Sequence, residues 1–197
     1  MVVMAADDVE AWREAAAVAL GSDRRSWIAL REREVVPEEL LAVIREFDAG
    51  THDAGVAAGE WLRTIALDST SARTWLLVGS GSVLAYCALP SGTVPLSRRE
   101  RASVGSAYRT TPATLMAWAA KAVDADVDGQ EIVEHAVSMA VRVRRFQGNC
   151  VLALDTFDGQ VAAIWKGRYG FRDAAPPLDP ASEPTRRLWI SLDAFSR

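Results

Sequence analysis

The chain has 197 residues, with 22 basic and 26 acidic side chains and a formal net charge of −4. Half of the residues are apolar, the usual fraction for a globular core, which excludes collagen-like, coiled-coil and wholly disordered chains. A length of about 200 residues fits one domain, or one domain with an extension. No apolar run approaches the ~18 residues of a membrane span, so no membrane partner is expected. The start, Met1-Val-Val-Met-Ala-Ala-Asp-Asp, lacks a basic region followed by an apolar block and does not read as a signal peptide. Cys87 and Cys150 are too few for a disulfide framework or a four-cysteine zinc site. Both read as small buried hydrophobes, and a cytoplasmic location is expected. Lys121 and Lys166 are the only lysines, so arginine supplies 20 of the 22 basic residues. Arginine suits phosphate and planar partners, but the net negative charge argues against a protein that coats nucleic acid.

In chain order, Val9 to Leu20 reads as an amphipathic helix with Gly21 as its stop. It forms the core of an N-terminal extension over residues 1–25, its helix at about 7–21. Trp12, Ala15, Ala16 and Leu20 share one face, and a helix this short must pack on something. Packing within its own chain is favoured over packing on a second copy, because the link from Gly21 to Ser26 is short and polar. A domain over 26–197 follows. Ser26 to Arg31 is short and apolar, a strand. Pro37 to Phe47 begins with proline and two acids, the chemistry of a helix N-terminus. A further helix runs from about Ala54 to Leu67, with Trp61, Leu62 and Ile65 inward. Thr74–Val78 and Val83–Leu89 flank Gly79-Ser-Gly-Ser as a β-hairpin. Ser91 to Thr111 is polar and arginine-rich, a long loop or loose helix, and Ala113 to Val123 is a buried strand. Glu131 to Phe146 has helical spacing, Cys150 to Leu154 is a strand, Gln160 to Gly167 a helix and Leu188 to Leu192 a last strand. The segment 173–187 holds Pro176, Pro177, Pro180 and Pro184 and must be loop. Helices mixed with a hairpin imply an α/β fold with a mixed central sheet.

Three segments carry a resemblance over roughly residues 26–192. Ala122-Val-Asp124 followed by Gly129 and the helix after it is similar to a strand and loop of pattern L-A-V-D…Q/R-x-x-G-x-G/A. Ala162 to Phe171, AAIWKGRYGF, is similar to A-x-x-F-Y-x-x-x-G-F. Phe47-Asp-Ala-Gly50 precedes an amphipathic helix and a hairpin. Together they resemble the GNAT superfamily of acetyl-CoA-dependent N-acetyltransferases, and within it the bacterial toxins of toxin–antitoxin pairs that acetylate aminoacyl-tRNA. The resemblance implies a mixed sheet flanked by helices. It also implies a loop and helix start whose N–H groups hold the coenzyme diphosphate, since glycines allow close approach and a helix start is positive. In the family, the tyrosine of the second segment lies near the coenzyme sulfur and commonly acts as general acid.

The chain departs from that pattern. Carried over by position, the coenzyme-binding residues are Val123, Asp126, Gly129, Gln130 and Glu131. Asp126 stands at the Q/R position, and Glu131 and Val133 replace the later glycines. Five acids and no base lie between Asp124 and Glu134. A carboxylate about 5 Å from a phosphate costs roughly 3 kcal/mol at an effective dielectric of 20, and about 1 kcal/mol after screening. The same acids can cap the helix directly. Lys166 falls where the family has its tyrosine, and a lysine is a poor general acid at neutral pH. Tyr169, three residues on, is the substitute candidate. Trp118 and Trp165 would border the coenzyme groove, with Trp165 expected to be buried, while Trp12, Trp61, Trp75 and Trp189 read as core. His52 and His135 are each alone and support no metal site. Arg98, Arg99, Arg101 and Arg109 could meet RNA, as basic surface does in the tRNA-acetylating relatives, or form a solvated loop. Two functions compete: a non-catalytic descendant, a pseudoenzyme that contacts a protein, a second copy or RNA, and a working N-acetyltransferase using acetyl-CoA. The loop acids and the missing tyrosine favour the first.

Overall fold

The computed structural model describes residues 6–156, 158–175 and 186–195. The four prolines of the expected 173–187 loop lie outside the described residues. The chain forms a mixed α/β fold, and its strands are ordered β1-β2-β3-β4-β6-β8-β7, with β5 paired to β3. The residues divide into two units, 1–88 with 118–128, and 89–117 with 129–197. Strand β3 (Ser82–Val94) contributes its first residues to one unit and its last to the other.

The first unit contains α1 (Ala6–Leu20), β1 (Ser26–Ala29), a 3₁₀ turn (Arg33–Val35), α2 (Glu38–Arg45), α3 (Asp53–Thr64), β2 (Ala72–Gly79) and β5 (Trp118–Lys121). Strand β1 runs antiparallel to β2, from Ser26 opposite Val78 to Ala29 opposite Trp75. Ser80 and Gly81 join β2 to β3 with φ of 50° and 75°, the pattern of a type I′ hairpin turn. Leu40, Ile44, Leu62, Leu76 and Val78 form the core with Tyr86, which is fully buried. The Tyr86 hydroxyl donates to the Ala58 carbonyl at 2.8 Å, so its one buried polar group is satisfied. Its ring stacks on Trp61 and meets Phe47 edge-on.

Helix α1 packs inside this unit. Ala16 and Ala19 are buried in the same cluster as Ile44 and Leu62. The Trp12 indole donates to the Ala29 carbonyl at 2.9 Å. The hairpin turn closes the helix end: the Gly81 N–H donates to Leu20 O and the Ser80 N–H to Ser22 O, both at 2.8 Å. Terminal helix carbonyls need such partners. The expectation that this helix covers its own chain holds.

The second unit contains the end of β3, α4 (Arg98–Ser103), β4 (Thr111–Leu115), α5 (Gly129–Gln147), β6 (Val151–Thr156), α6 (Gly159–Tyr169), β7 (Arg172–Asp173), β8 (Arg186–Ser191) and a 3₁₀ turn (Leu192–Phe195). Its core joins Val94, Leu96, Ala113, Val151, Ala153 and Trp189. Strand β4 lies antiparallel to β3 and parallel to β6. The strand expected over 113–123 is therefore two strands. The Met116 N–H still donates to Ala153 O at 2.7 Å, after which the chain leaves β6. It resumes as β5, whose register runs along β3 from Lys121 opposite Ala85 to Trp118 opposite Ala88. Leu154, Asp155 and Thr156 of β6 pair with β8, and β4 has already parted from them. The stretch expected as a long loop or loose helix over 91–111 contains the end of β3 and the short helix α4, which Ser97 and Glu100 start with a reciprocal capping box.

Deleting residues 1–21 removes the Trp12 and Ala16 packing and both turn contacts. We expect a loss of about 3 kcal/mol, lowering Tm by roughly 6–12 °C, with no change of mass by light scattering. A halved mass would place the helix between subunits instead.

Candidate functional site

The segment that ends α6 builds one side of the site. Asp158 caps its start, accepting from the Gln160 N–H at 2.7 Å. Gly170 ends it with φ 73° and donates to the Trp165 carbonyl, a left-handed cap that suits glycine. The reversal buries Phe171 under the helix end. Trp165 meets Phe171 edge-on at 5.5 Å and Tyr169 at 5.1 Å. Trp165 is half-buried rather than buried. Ala162 is the buried residue of α6, so the indole packs on the aromatics of its own C-terminus and not in the sheet core.

Lys166 is exposed and donates to Asp173 Oδ2 at 2.7 Å. Arg186 approaches the other oxygen of the same carboxylate at 3.2 Å. The Lys166 hydrogen bond, with Arg186 adding to it, holds Asp173 below the usual carboxylate range. The ammonium at the family's tyrosine position is thus tied to a partner on β7.

Tyr169 points the other way along α6, to the first residue of α5. A Cβ built on Gly129 would lie 2.7 Å from the Tyr169 hydroxyl oxygen and 3.8 Å from Cζ. The first distance is too short for any side chain, so glycine is what admits the hydroxyl. The ring is half-buried, with Trp165 on one contact and the Arg168 guanidinium 5.6 Å from its centroid. On the first turns of α5 the Gln130 amide donates to Glu134 at 2.9 Å, and Glu131 is half-buried.

In the first unit, Ala122 and Val123 follow β5. The Val123 N–H donates to Asp48 O at 2.9 Å and the Ala122 N–H to Leu84 O at 2.8 Å. The Val123 side chain is 64% exposed, and Asp124 and Asp126 are exposed. Phe47-Asp-Ala-Gly50 therefore acts on Val123 by engaging its amide, a contact that spacing along the chain did not reveal.

The remaining candidates lie outside α6. Trp118 stacks on Trp61 at 5.6 Å within the first core. Arg101 donates to the carbonyls of Leu96 and Arg109, holding the loop after β3, while Arg98, Arg99 and Arg109 are exposed. Cys87 is buried, and burial pushes its thiol up to about 12. Cys150 is half-buried. His52 caps α3, its Nδ1 accepting from the Gly55 N–H at 2.8 Å. Among the described residues no group of three metal-ligating side chains occurs, and no described helix is long and apolar enough to cross a membrane. His135 is half-buried on α5, and burial, with Arg142 adding repulsion, pushes its pKa down to about 4.

Two tests follow. Gly129→Ala should destabilise the protein by about 1 kcal/mol, because the methyl displaces the Tyr169 hydroxyl. In a Tyr169→Phe background the same change should be neutral or stabilising by roughly 0.5 kcal/mol, since alanine is the better helix residue. Equal effects in both backgrounds, read by urea unfolding, would mean the two residues are not in contact. For His135, the unfolded chain binds the proton near pH 6.5 and the folded chain only near 4. Stability should therefore fall as pH drops through that window, and His135→Asn should flatten the fall; a wild-type profile unchanged from pH 7 to 4.5 would contradict the burial.

No protein-family model matches the chain, and no curated protein matches it. Solved structures do. AtaT complexed with acetyl-methionyl-tRNAfMet is 15% identical with a TM-score of 0.69, covering 87% of this chain and 97% of that one. A tyrosine-to-phenylalanine mutant of KacT is 15% identical with a TM-score of 0.67, over 87% and 97% of the two chains. AtaTR bound with acetyl-CoA is 17% identical with a TM-score of 0.63, over 88% and 96%. The chain therefore has the GNAT fold, in the form it takes in the toxins AtaT and KacT.

Proposed function

We propose that this protein is a GNAT-fold binding protein whose coenzyme site is impaired, and that it acts without acetyl transfer. The observation that carries the reading is the Tyr169 hydroxyl set against Gly129 at the start of α5. A diphosphate at a helix start needs free N–H groups and open space in front of them. Here a half-buried phenol comes to 2.7 Å from where a Gly129 Cβ would lie, which supports an obstructed helix start. The other family positions point the same way: the Val123 amide already donates to Asp48, and Lys166 is paired with Asp173. Asp124, Asp126, Asp128, Glu131 and Glu134 surround the helix start in sequence with no base among them. These residues do not fit a coenzyme diphosphate.

The partner proposed is a protein, either an antitoxin-like chain or a second copy. AtaT is described with the C-terminus of the antitoxin AtaR, and KacTA with DNA. RNA contact through Arg98, Arg99 and Arg109 is a second possibility of the same reading, with Arg101 holding the loop that presents them. The alternative is an active N-acetyltransferase with Tyr169 as general acid. One observation favours it: Tyr169 alone among the site tyrosine and lysine candidates reaches α5.

Calorimetric titration with acetyl-CoA separates the two. The proposal expects a Kd above about 100 μM near physiological salt, that is, binding weaker than roughly −5.5 kcal/mol. Asp126→Arg with Glu131→Gly should tighten it at least tenfold by removing two like charges and a side chain. A wild-type Kd of a few micromolar would sink the impaired-site reading.

A further inference from the structure

The second unit holds a cavity of about 490 Å³ along one face of α5, within the size range of small-molecule sites. Its wall is apolar: Val133, Val137 and Val141 recur every four residues on α5, and Ile190 of β8 and Phe195 complete it. That spacing is one helix face. Phe195 is left 47% exposed. The lining runs from Gln130 to Arg142, about 18 Å of helix at ~1.5 Å per residue. The site is therefore long and open to solvent, with an apolar floor and a polar rim of Gln130, Glu134, Ser138, Arg142 and Arg168.

Its charges are uneven. Two guanidinium groups, Arg142 and Arg168, line it against one carboxylate, Glu134. Glu134 accepts from the Gln130 amide at 2.9 Å, and Arg168 lies over the Tyr169 ring. Arg142 is exposed and has no hydrogen bond or ion pair among the described residues. A guanidinium beside apolar surface favours a planar anion that brings its own apolar body.

We propose that this cavity binds an anionic amphiphile, an unbranched acyl chain lying on the valines, Ile190 and Phe195 with its single head group on Arg142. Two lining residues, Gln130 and Tyr169, belong to the coenzyme reading; the acyl chain and head group are placed on other residues, so the inference goes beyond that reading. Free fatty acid and the carboxylate of a larger acylated molecule share this chemistry.

The test uses the full chain and calorimetry with octanoate, decanoate and dodecanoate below their micelle concentrations. Each added methylene should tighten binding about three- to fourfold, as burial of CH₂ groups requires. Decyltrimethylammonium should bind at least tenfold more weakly than decanoate. Arg142→Gln, an exposed change, should weaken decanoate at least tenfold without moving Tm. Val141→Glu, at a half-buried wall position, should do the same, with Tm reporting that it folds. Dodecanoate and N-dodecanoylglycine, whose carboxylate sits on a larger acylated molecule, should both bind, and the tighter of the two names the source. Equal binding of the cationic amphiphile, indifference to Arg142→Gln, or absence of dodecanoate binding at millimolar concentration would overturn the proposal. Competitive displacement of decanoate by acetyl-CoA would also overturn it, by making the cavity part of the coenzyme site. A low-micromolar acetyl-CoA Kd without displacement would refute the impaired-site reading alone and leave this one standing.

Discussion

A single close approach governs the site: the Tyr169 hydroxyl stands where a side chain on Gly129 would have to be. The contact needs both partners. Glycine supplies the space, and the α6 terminus supplies the aim. Gly170 in the left-handed region turns the chain so that Phe171 buries beneath the helix, and Trp165 bridges Phe171 and Tyr169. The tyrosine is thus held by ring contacts at its root and by steric fit at its tip. A half-buried, ring-packed side chain resists reorientation more than an exposed one.

The strands set the frame in which that contact matters. Met116 is the last residue to bond to β6, and from Trp118 the chain follows β3. This leaves Leu154, Asp155 and Thr156 with β8 as their partner strand. In the first unit, β5 hands on to Ala122 and Val123, whose amides are taken by Leu84 and Asp48. Buried amides are rarely left unpaired, and here the pairing is internal. The Ala122 and Val123 amides are therefore satisfied by the protein itself.

Much of the fold was legible in the sequence because it rests on local rules. The hairpin about Ser80-Gly81, the helices found at Glu38–Arg45 and Asp53–Thr64, and the long helix after Gly129 follow from turn chemistry and apolar period, although Ile65, expected inward, is 55% exposed beyond the end of its helix. What stayed hidden depends on pairing at a distance. Ala113 to Val123 is largely apolar, with its polar residues Thr114 and Lys121 away from the junction, so nothing in its pattern marks the switch from β6 to β3 at Met116 and Ala117. Helix α4 is only six residues long and its arginines mask the Ser97–Glu100 cap. Trp165 read as buried because it falls where the resembled family carries an apolar aromatic, yet Val161 and Ile164 are exposed at 39% and 54% and α6 turns little of itself inward. The site residues Lys166, Tyr169, Gly129 and Glu131 were named from position along a motif. Their spacing could not say that Lys166 would find Asp173, or that Tyr169 would reach across to α5.

The central claim is that Tyr169 closes the start of α5 to a diphosphate, and the Gly129 amide reports on it directly. In ¹H–¹⁵N spectra, adding millimolar coenzyme A to the wild-type protein should leave the Gly129 resonance in place. The same addition to Tyr169→Ala should shift it, because the hydroxyl is gone and the helix start is open. A Gly129 shift that saturates equally in both proteins would contradict the account, since the tyrosine would then stand in nothing's way.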